Sequence, residues 1–410
     1  MIEDPGASSP DGAVVLHPGS PLEVLRVSTR LGLTSFGGPV AHLGYFRAEY
    51  VERRRWLDEA AYADLVALCQ FLPGPASSQI GIGIGMIRAG WLGGVMAWLG
   101  FTLPSAIVLV LFALGLQRWD IADAGWLHGL KVVAVAVVAQ AVWGMARNLA
   151  PDRPRATIAI LSAIAVLSWQ VALMQVGVIV VAGLVGWRLF ALADTAGGTD
   201  ALRVRVPRPM VIAAWVLFFG LIVALPAARQ VVESQTLAMV DAFYRVGSLV
   251  FGGGHVVLPL IEAEVVPAGW VTQDQFIAGY GAAQAVPGPL FTFAAYLGAV
   301  AGPEPNGWPG AAIALGAIFA PSFLLIAGAL PLWEGLRRRG AFQAALRGVN
   351  AAVVGILAAA LYDPVWTSAV LGPEDVALAL AAFGLLQVWK VPPWAVVVLT
   401  AAGAQALSVL

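Results

Sequence analysis

The chain has 410 residues, of which 60% are hydrophobic and only 11% charged, and its mean hydropathy is +0.83. Soluble domains carry about 25% charged residues, so the composition excludes an ordinary soluble globule and indicates an integral membrane protein. A formal charge of −1 gives no electrostatic basis for a nucleic-acid partner, and the single cysteine, Cys69, excludes an internal disulfide framework or a CxxC metal site.

Residues 1–21, MIEDPGASSPDGAVVLHPGSP, have neither a basic n-region nor an apolar h-region and read as a disordered tail without a cleaved signal. Two apolar regions follow that Gly and Pro cut short: 22–45, broken at Phe36-Gly37-Gly38-Pro39, and 58–88, broken at Pro73-Gly74-Pro75. Runs near the ~20 residues that cross a bilayer then fall at 91–117 and 125–148. The block 155–190 reads as two short helices around Ser168-Trp169-Gln170, and a further run lies at 209–228. The same order then returns. Regions 237–260 and 272–302 are broken at Phe251-Gly252-Gly253 and Pro287-Gly288-Pro289, runs follow at 307–332 and 341–362, and 375–410 reads as two short helices around WKVPPW.

The return is an internal repeat. Setting Phe36 against Phe251, 215 positions on, pairs Ala48-Glu49 with Ala263-Glu264, Trp56 with Trp270, and CQFLPGP with AQAVPGP, so that Gln70 meets Gln284. Further along, Leu103-Pro104-Ser105 meets Ala320-Pro321-Ser322. The chain therefore divides into a tail (1–21), a first repeat (22–190), a linker carrying one extra transmembrane helix (191–236) and a second repeat (237–410).

Loop charge orients the repeats. The loop after the first break holds Arg47, Arg53, Arg54 and Arg55, while its counterpart EAEVVPAGW holds no basic residue. Later the bias reverses: QRWDIADAG is nearly neutral, and its partner WEGLRRRG carries Arg337, Arg338 and Arg339. Equivalent loops face opposite sides, so the halves are inverted. If each broken region is a re-entrant hairpin, the basic loops 47–55, 147–155, 188–208 and 337–347 share the cytoplasmic side. Loops 262–269, 302–309 and 363–375 then share the outer side. The expected fold is an all-α polytopic membrane protein of two inverted repeats with Gly/Pro-broken re-entrant hairpins and a linking transmembrane helix.

A break in lipid exposes unpaired backbone groups and is tolerated only inside protein or beside a watery cavity. Paired broken segments in inverted repeats point to secondary transporters, with the substrate near the midplane. Gly37-Gly38 and Gly252-Gly253 free the chain to turn, and helix starts at such breaks favour an anion. The competing reading of each motif is a tight turn or a close helix contact. Arg30 and Arg245, each six residues before its Phe, are guanidinium candidates for a tetrahedral oxyanion; the alternative is that both snorkel to an interface. Gln70, Gln284, Ser77 and Ser78 are candidate neutral donors. Glu49, Glu264, His42 and His255 are candidates for proton coupling, with solvated or arginine-paired structural roles as the rival for the acids.

The stretch FGGPVAHLGYFRAEYVERRRWLDEAAYADLVALCQFLPGPASSQIGIGIG resembles the signature region of the chromate ion transporter family, and FGGGH…W…QAVPGP resembles its repeated partner. The resemblance spans nearly everything beyond residue 22. It implies a long-chain, two-domain member in the bacterial inner membrane that exports chromate and confers resistance. The family's motif residues fall here on Phe36, Gly37, Gly38, Pro39, Pro73, Gly74 and Pro75, and on Phe251, Gly252, Gly253, Pro287, Gly288 and Pro289. Gly254 stands where the first half has Pro39, which puts equal roles for the two hairpins in question.

No P-loop GxxxxGK[ST] is present, so the expected drive is membrane potential or proton coupling. The expected partners are chromate or a similar oxyanion and the lipid bilayer, with a homodimer left open and no cofactor or metal. The rivals are a transporter or channel for another oxyanion such as sulfate, a membrane-embedded transferase, and a structural scaffold. The transferase lacks a convergent constellation, with four scattered histidines and one cysteine. The scaffold leaves the paired breaks without a purpose.

Overall fold

A computed structural model describes residues 19–36, 38–118, 125–169, 172–190, 207–251, 254–333 and 339–408. Among these residues the chain is helical and contains no strand. Gly37, Gly252, Gly253, the side chain of Pro39 and the tail 1–18 lie outside the described residues.

Each predicted interruption becomes a break between two short helices. Helix α1 (Pro21–Thr34) is capped by Ser20, whose hydroxyl accepts the Leu22 amide at 3.3 Å, and Pro21 takes the first helical position, where its missing N–H costs nothing. It ends at Ser35. Helix α2 (Gly38–Phe46) starts on Gly38, whose φ of 74° needs a residue without Cβ, and continues as a wide π-type turn over Arg47–Arg53. Helix α3 (Glu59–Phe71) begins where Asp58 accepts the Ala61 amide at 2.7 Å and ends before the Pro73-Gly74-Pro75 turn. Helix α4 (Ala76–Arg118) leaves that turn. It is two helices joined at Ala89 and Gly90, where the dihedrals are non-helical and Gly90 has a φ of 64°. The return arm of the second hairpin ends there and a spanning helix begins.

The remainder of the first half is α5 (Gly125–Leu149) and the short pair α6 (Arg153–Ser168) and α7 (Ala172–Leu189), followed by the linking helix α8 (Arg208–Arg229). The second half repeats the plan: α9 (Gln235–Leu249) and α10 (Val257–Val265), α11 (Gln273–Ala283) and α12 (Phe293–Val300), then α13 (Gly307–Ala329) and α14 (Gly340–Ala360). It closes with α15 (Pro373–Gln387) and α16 (Pro393–Leu407). Helix α11 opens with a Thr272–Gln275 capping box, and Thr272 is the repeat equivalent of Asp58. The segments containing α4, α5, α8, α13 and α14 are long and apolar enough to cross a bilayer, matching the five predicted runs.

Side chains such as Leu111, Ile160, Val216, Val223 and Leu380 are between 56% and 70% exposed. So much outward-facing apolar surface requires a lipid surround. Between helices, contact depends on missing side chains. A Cβ on Gly32 would lie 2.6 Å from Gly100 O, and one on the equivalent Gly247 would lie 2.1 Å from Ile318 O. The halves also interlock. Helix α5 packs on α16, with Gly129 against Ala401, and α14 packs on α6 and α7, with Gly348 against Gly186.

Candidate functional site

The four broken tips meet one another. The Gly74 amide donates to the Val250 carbonyl at 2.6 Å, and the Gly288 amide donates to the Ser35 carbonyl at 2.9 Å. Gly74 is the equivalent of Gly288, and Ser35 of Val250. Each PGP turn is therefore bonded to the FGG break of the other half: one interaction, made twice by the repeat. The correspondence reaches the next layer. A Cβ on Gly74 would lie 3.0 Å from Ser322 Oγ, and one on Gly288 would lie 2.9 Å from Ser105 Oγ. Ser105 and Ser322 follow the equivalent helical prolines Pro104 and Pro321. Both glycines have positive φ, 116° and 96°.

The tips are polar and underpaired. Ser35 Oγ, Ser78 Oγ, Thr102 Oγ1, Ser322 Oγ, Gln79 Oε1 and Gln284 Nε2 are buried without a hydrogen-bond partner. All six belong to segments that form or touch the tips. An unmet buried polar group costs about 1–3 kcal/mol, and native structures leave few of them. Six such groups on these segments make the tips the candidate site. Four are hydroxyls and one an amide N–H₂, which can donate to oxyanion oxygens. The starts of α2 and α4 add their positive ends at two of the tips.

His42 ties the first break to the second hairpin. Its Nε2 lies 3.2 Å from the Ser35 carbonyl and its Nδ1 3.2 Å from Ser77 Oγ. A carbonyl only accepts, so Nε2 carries the proton and, in the neutral ring, Nδ1 accepts from the Ser77 hydroxyl. Ser35 O thus receives both His42 and Gly288. Gln79 Nε2 donates to Pro73 O at 2.6 Å and holds the PGP turn from its own helix.

The predicted site residues divide between this centre and elsewhere. Pro73, Gly74, Pro75, Ser77, Ser78, Pro287, Gly288, Pro289 and Gln284 build the tips or adjoin them. Phe36 is half-buried, its ring 6.4 Å from that of Trp394 on α16, and Phe251 packs half-buried on the main core. Gly37, Gly252 and Gly253 fall outside the described residues. Gly254 opens a short 3₁₀ turn, Gly254–Val256, whereas Pro39 lies in α2. The departure between the halves changes the local helix and leaves the paired tip bonds intact.

The two arginines are equivalent in sequence and not in place. Arg30 is exposed, on the face of α1 that also presents Leu22, Arg26 and Leu33. Arg245 is half-buried and bound to Asp241 at 2.7 Å and Glu264 at 3.1 Å. Gln70 is exposed while its partner Gln284 is half-buried. Glu49 binds Arg53 at 3.0 Å and Arg54 at 2.7 Å. Burial pushes its carboxyl up, and the two guanidiniums outweigh burial to hold it below the usual range. Glu264 moves the other way, raised by burial and the nearby Asp241 charge against the pull of Arg245. His255 bonds Tyr280 Oη through Nδ1 at 2.7 Å and, among the described residues, makes no bond to the tips.

Ser35, Thr102, Ser105 and Ser322 belong to the centre without having been singled out from sequence. The alignment of Pro104-Ser105 with Pro321-Ser322 was the available signal. A proline inside a helix beside a small hydroxyl marks a place where another backbone approaches.

The family model for the chromate transporter matches residues 22–187 and 237–406. A chromate transport protein of Pseudomonas aeruginosa is 31% identical over 387 residues, covering 91% of this chain and 89% of its own. A probable chromate transport protein of Synechococcus elongatus is 29% identical and covers 86% of each. An uncharacterised transporter of Bacillus subtilis, YwrB, matches at 31% identity over 92 residues, 22% of this chain and 47% of its own. No solved structure matches. With both halves matched in order, and with a transport rather than an enzymatic family, the chain belongs to the chromate transporter family.

Proposed function

We propose that this protein is a secondary transporter that carries chromate out across the bacterial inner membrane, driven by membrane potential or proton coupling, and so confers chromate resistance. The observation that carries the reading is the reciprocal bonding of the four tips around unpaired hydroxyls. A tetrahedral dianion offers four oxygens to such donors. Because each tip bond joins one half to the other, rocking one repeat against the other would break one half of the site while the other still holds the ion.

The energetics suffice. Moving one charge across 100 mV is worth about 2.3 kcal/mol, so an exported dianion gains about 4.6 kcal/mol. At about 1.36 kcal/mol per decade, that sustains a roughly 10³-fold outward gradient without ATP.

The test is uptake of radiolabelled chromate into energised everted membrane vesicles, with and without excess sulfate and a protonophore. Protein-dependent uptake that a protonophore abolishes and sulfate leaves alone is expected. Strong competition by sulfate would make the protein a general oxyanion carrier, and absence of uptake would remove chromate as the substrate.

A further inference from the structure

Five of the six unpaired groups at the tips can donate a hydrogen bond, and the sixth cannot. Gln79 is fully buried, and its Nε2 donates to the Pro73 carbonyl at 2.6 Å. That bond fixes which way the amide faces, because a carbonyl only accepts and the reversed amide would set two acceptor oxygens against each other. Gln79 Oε1 is therefore an acceptor, buried and, among the described residues, without a partner. It belongs to the crossing where the Gly74 amide meets the Val250 carbonyl. A Cβ on Gly74 would lie 2.6 Å from Gln79 Nε2 and 3.0 Å from Ser322 Oγ, so the Gln79 amide and the unpaired Ser322 hydroxyl flank one point. Ser78, whose hydroxyl is also unpaired, precedes Gln79 at the start of α4. The first bond of that helix runs from the Gln79 amide to Pro75 O at 2.9 Å, which leaves the N–H groups ahead of it without a partner inside the helix.

The second crossing differs. Alignment on the PGP turns puts Phe293 where the first half has Gln79, and Thr292 where it has Ser78. Phe293 packs on Phe276, Thr292 Oγ1 donates to Pro289 O at 2.8 Å, and Ser105, the counterpart of Ser322, donates to Thr102 O at 3.1 Å. The crossings are alike in backbone and unlike in chemistry. Among the described residues, only the first sets a buried, unpaired acceptor-only oxygen beside unpaired donors. Of the titratable groups on the elements packed against α4, His42 of α2 touches the first hairpin, through Ser77 Oγ. On α1, Glu23 pairs with Arg54 and Arg88, and Arg26 and Arg30 lie further along. On α3, Glu59 pairs with Arg47, Tyr62 donates to Leu43 O, Asp64 is half-buried and Cys69 is a buried thiol. On α11, Asp274 pairs with Lys131 and Tyr280 bonds His255; α12 offers Tyr296, which donates to Gln275 O, and α13 carries no titratable residue.

We propose that Gln79 Oε1 reads a proton on the transported ion, so that the tips take a tetrahedral oxyanion carrying one O–H, hydrogen chromate, with that O–H directed at the first crossing. This preference rests on the oxyanion reading of the tips. A fully deprotonated ion would bring an oxygen lone pair against Gln79 Oε1 and leave that oxygen unmet. The singly protonated ion donates to it and offers three bare oxygens to the Ser78 and Ser322 hydroxyls and to the amides at the start of α4. The only covalent change is the ion's own proton equilibrium with water. Chromate takes up that proton near neutrality, whereas sulfate, of the same shape, does so only in strong acid. Gln79 thereby rejects sulfate by proton count rather than by size, through an acceptor that sulfate cannot satisfy. Each exported ion carries one proton with it, and the membrane potential acts on one net charge instead of two.

The test is the absorption spectrum of chromate bound to the purified full-length protein in lipid, because the ion's ultraviolet bands differ between its protonated and deprotonated forms. In mildly alkaline buffer, where free chromate is deprotonated, the bound ion should keep the spectrum of hydrogen chromate. The apparent Kd should rise about tenfold per pH unit there, the slope of one proton taken up with each ion. Gln79→Met, which removes the acceptor, should flatten that slope, while Ser78→Ala should weaken binding and leave the slope as it is. Excess sulfate should not displace chromate from the wild type. A bound ion with the dianion's spectrum and a Kd independent of pH would overturn the preference alone, leaving an oxyanion site with water at Gln79. A slope lost in His42→Gln would place the proton on the histidine and overturn it as well. Should Gln79→Met fail to fold, the wild-type spectrum still decides. No chromate binding at any pH would overturn the transport reading together with this one.

Discussion

Gly288 shows how a single atom sets the site. Its φ of 96° lies where a side chain costs about 1–2 kcal/mol, and a Cβ there would stand 2.9 Å from Ser105 Oγ and 3.1 Å from Phe101 O. The amide that it presents to Ser35 O depends on that conformation. Gly288→Ala should lower the melting temperature of the purified protein by a few degrees and reduce chromate uptake at least tenfold. Gly44→Ala, where a Cβ meets nothing within 4 Å, should change neither. The glycines and prolines of the tips were legible in the sequence because their backbone demands are written in their identity. The arginines were less so: Arg30 and Arg245 share a sequence position, but only the latter has Asp241 one helical turn away to hold it. Such a pairing depends on neighbours that differ between halves. The hydroxyls of Thr102, Ser105 and Ser322 gave no signal of their own, since a Ser in an apolar helix ordinarily bonds the backbone one turn back, as Ser248 does with Tyr244 O at 2.8 Å.

At the level of helices, the decisive contacts are close approaches through glycine. Helix α9 meets α13 where Gly247 faces Ile318 O, and α1 meets α4 where Gly32 faces Gly100 O. A methyl group at Gly247 would stand 2.1 Å from that carbonyl and must push the helices apart. Gly247→Ala should therefore cost about 1–3 kcal/mol, read as a lower thermal midpoint in detergent, whereas Gly220→Ala on α8, with open space around it, should be neutral. The long helices were readable from apolar length; the helix starts came only with the structure, where Asp58, Asp152, Ser234 and Thr272 each accept the amide three residues on. The joint at Ala89–Gly90 falls between the broken region 58–88 and the run 91–117 read from the sequence, although its geometry was not visible. A Gly in an apolar run is common, and only its φ of 64° makes this one a boundary between a re-entrant arm and a spanning helix.

Across the whole molecule, inversion is the organising feature, and it predicts sidedness. Cys69 is buried, so cysteines introduced at the exposed positions Ala48 and Ala268 can be labelled with little background. A membrane-impermeant maleimide should reach Ala48→Cys only in everted vesicles and Ala268→Cys only in intact spheroplasts. Labelling of both from one side would contradict inversion. The repeat was legible because two uncommon motifs recur in order. That the two halves bond tip to tip was not, because nothing in either motif names its partner.

The central claim is that the exchanged tips form an oxyanion site, and Ser322 tests it most directly. Its hydroxyl is fully buried, lies beside Gly74 and has no partner. Removing an unpaired hydroxyl leaves the ligand-free fold as stable as before or more so, while removing a hydrogen bond to a charged ligand costs about 1.5–3 kcal/mol, roughly 10- to 100-fold in affinity. The measurement is equilibrium chromate binding to the purified protein, wild type against Ser322→Ala, with ligand-free melting temperatures recorded alongside. Binding weakened at least tenfold at an unchanged or raised melting temperature is the predicted result. Equal affinity in the two proteins would contradict the account.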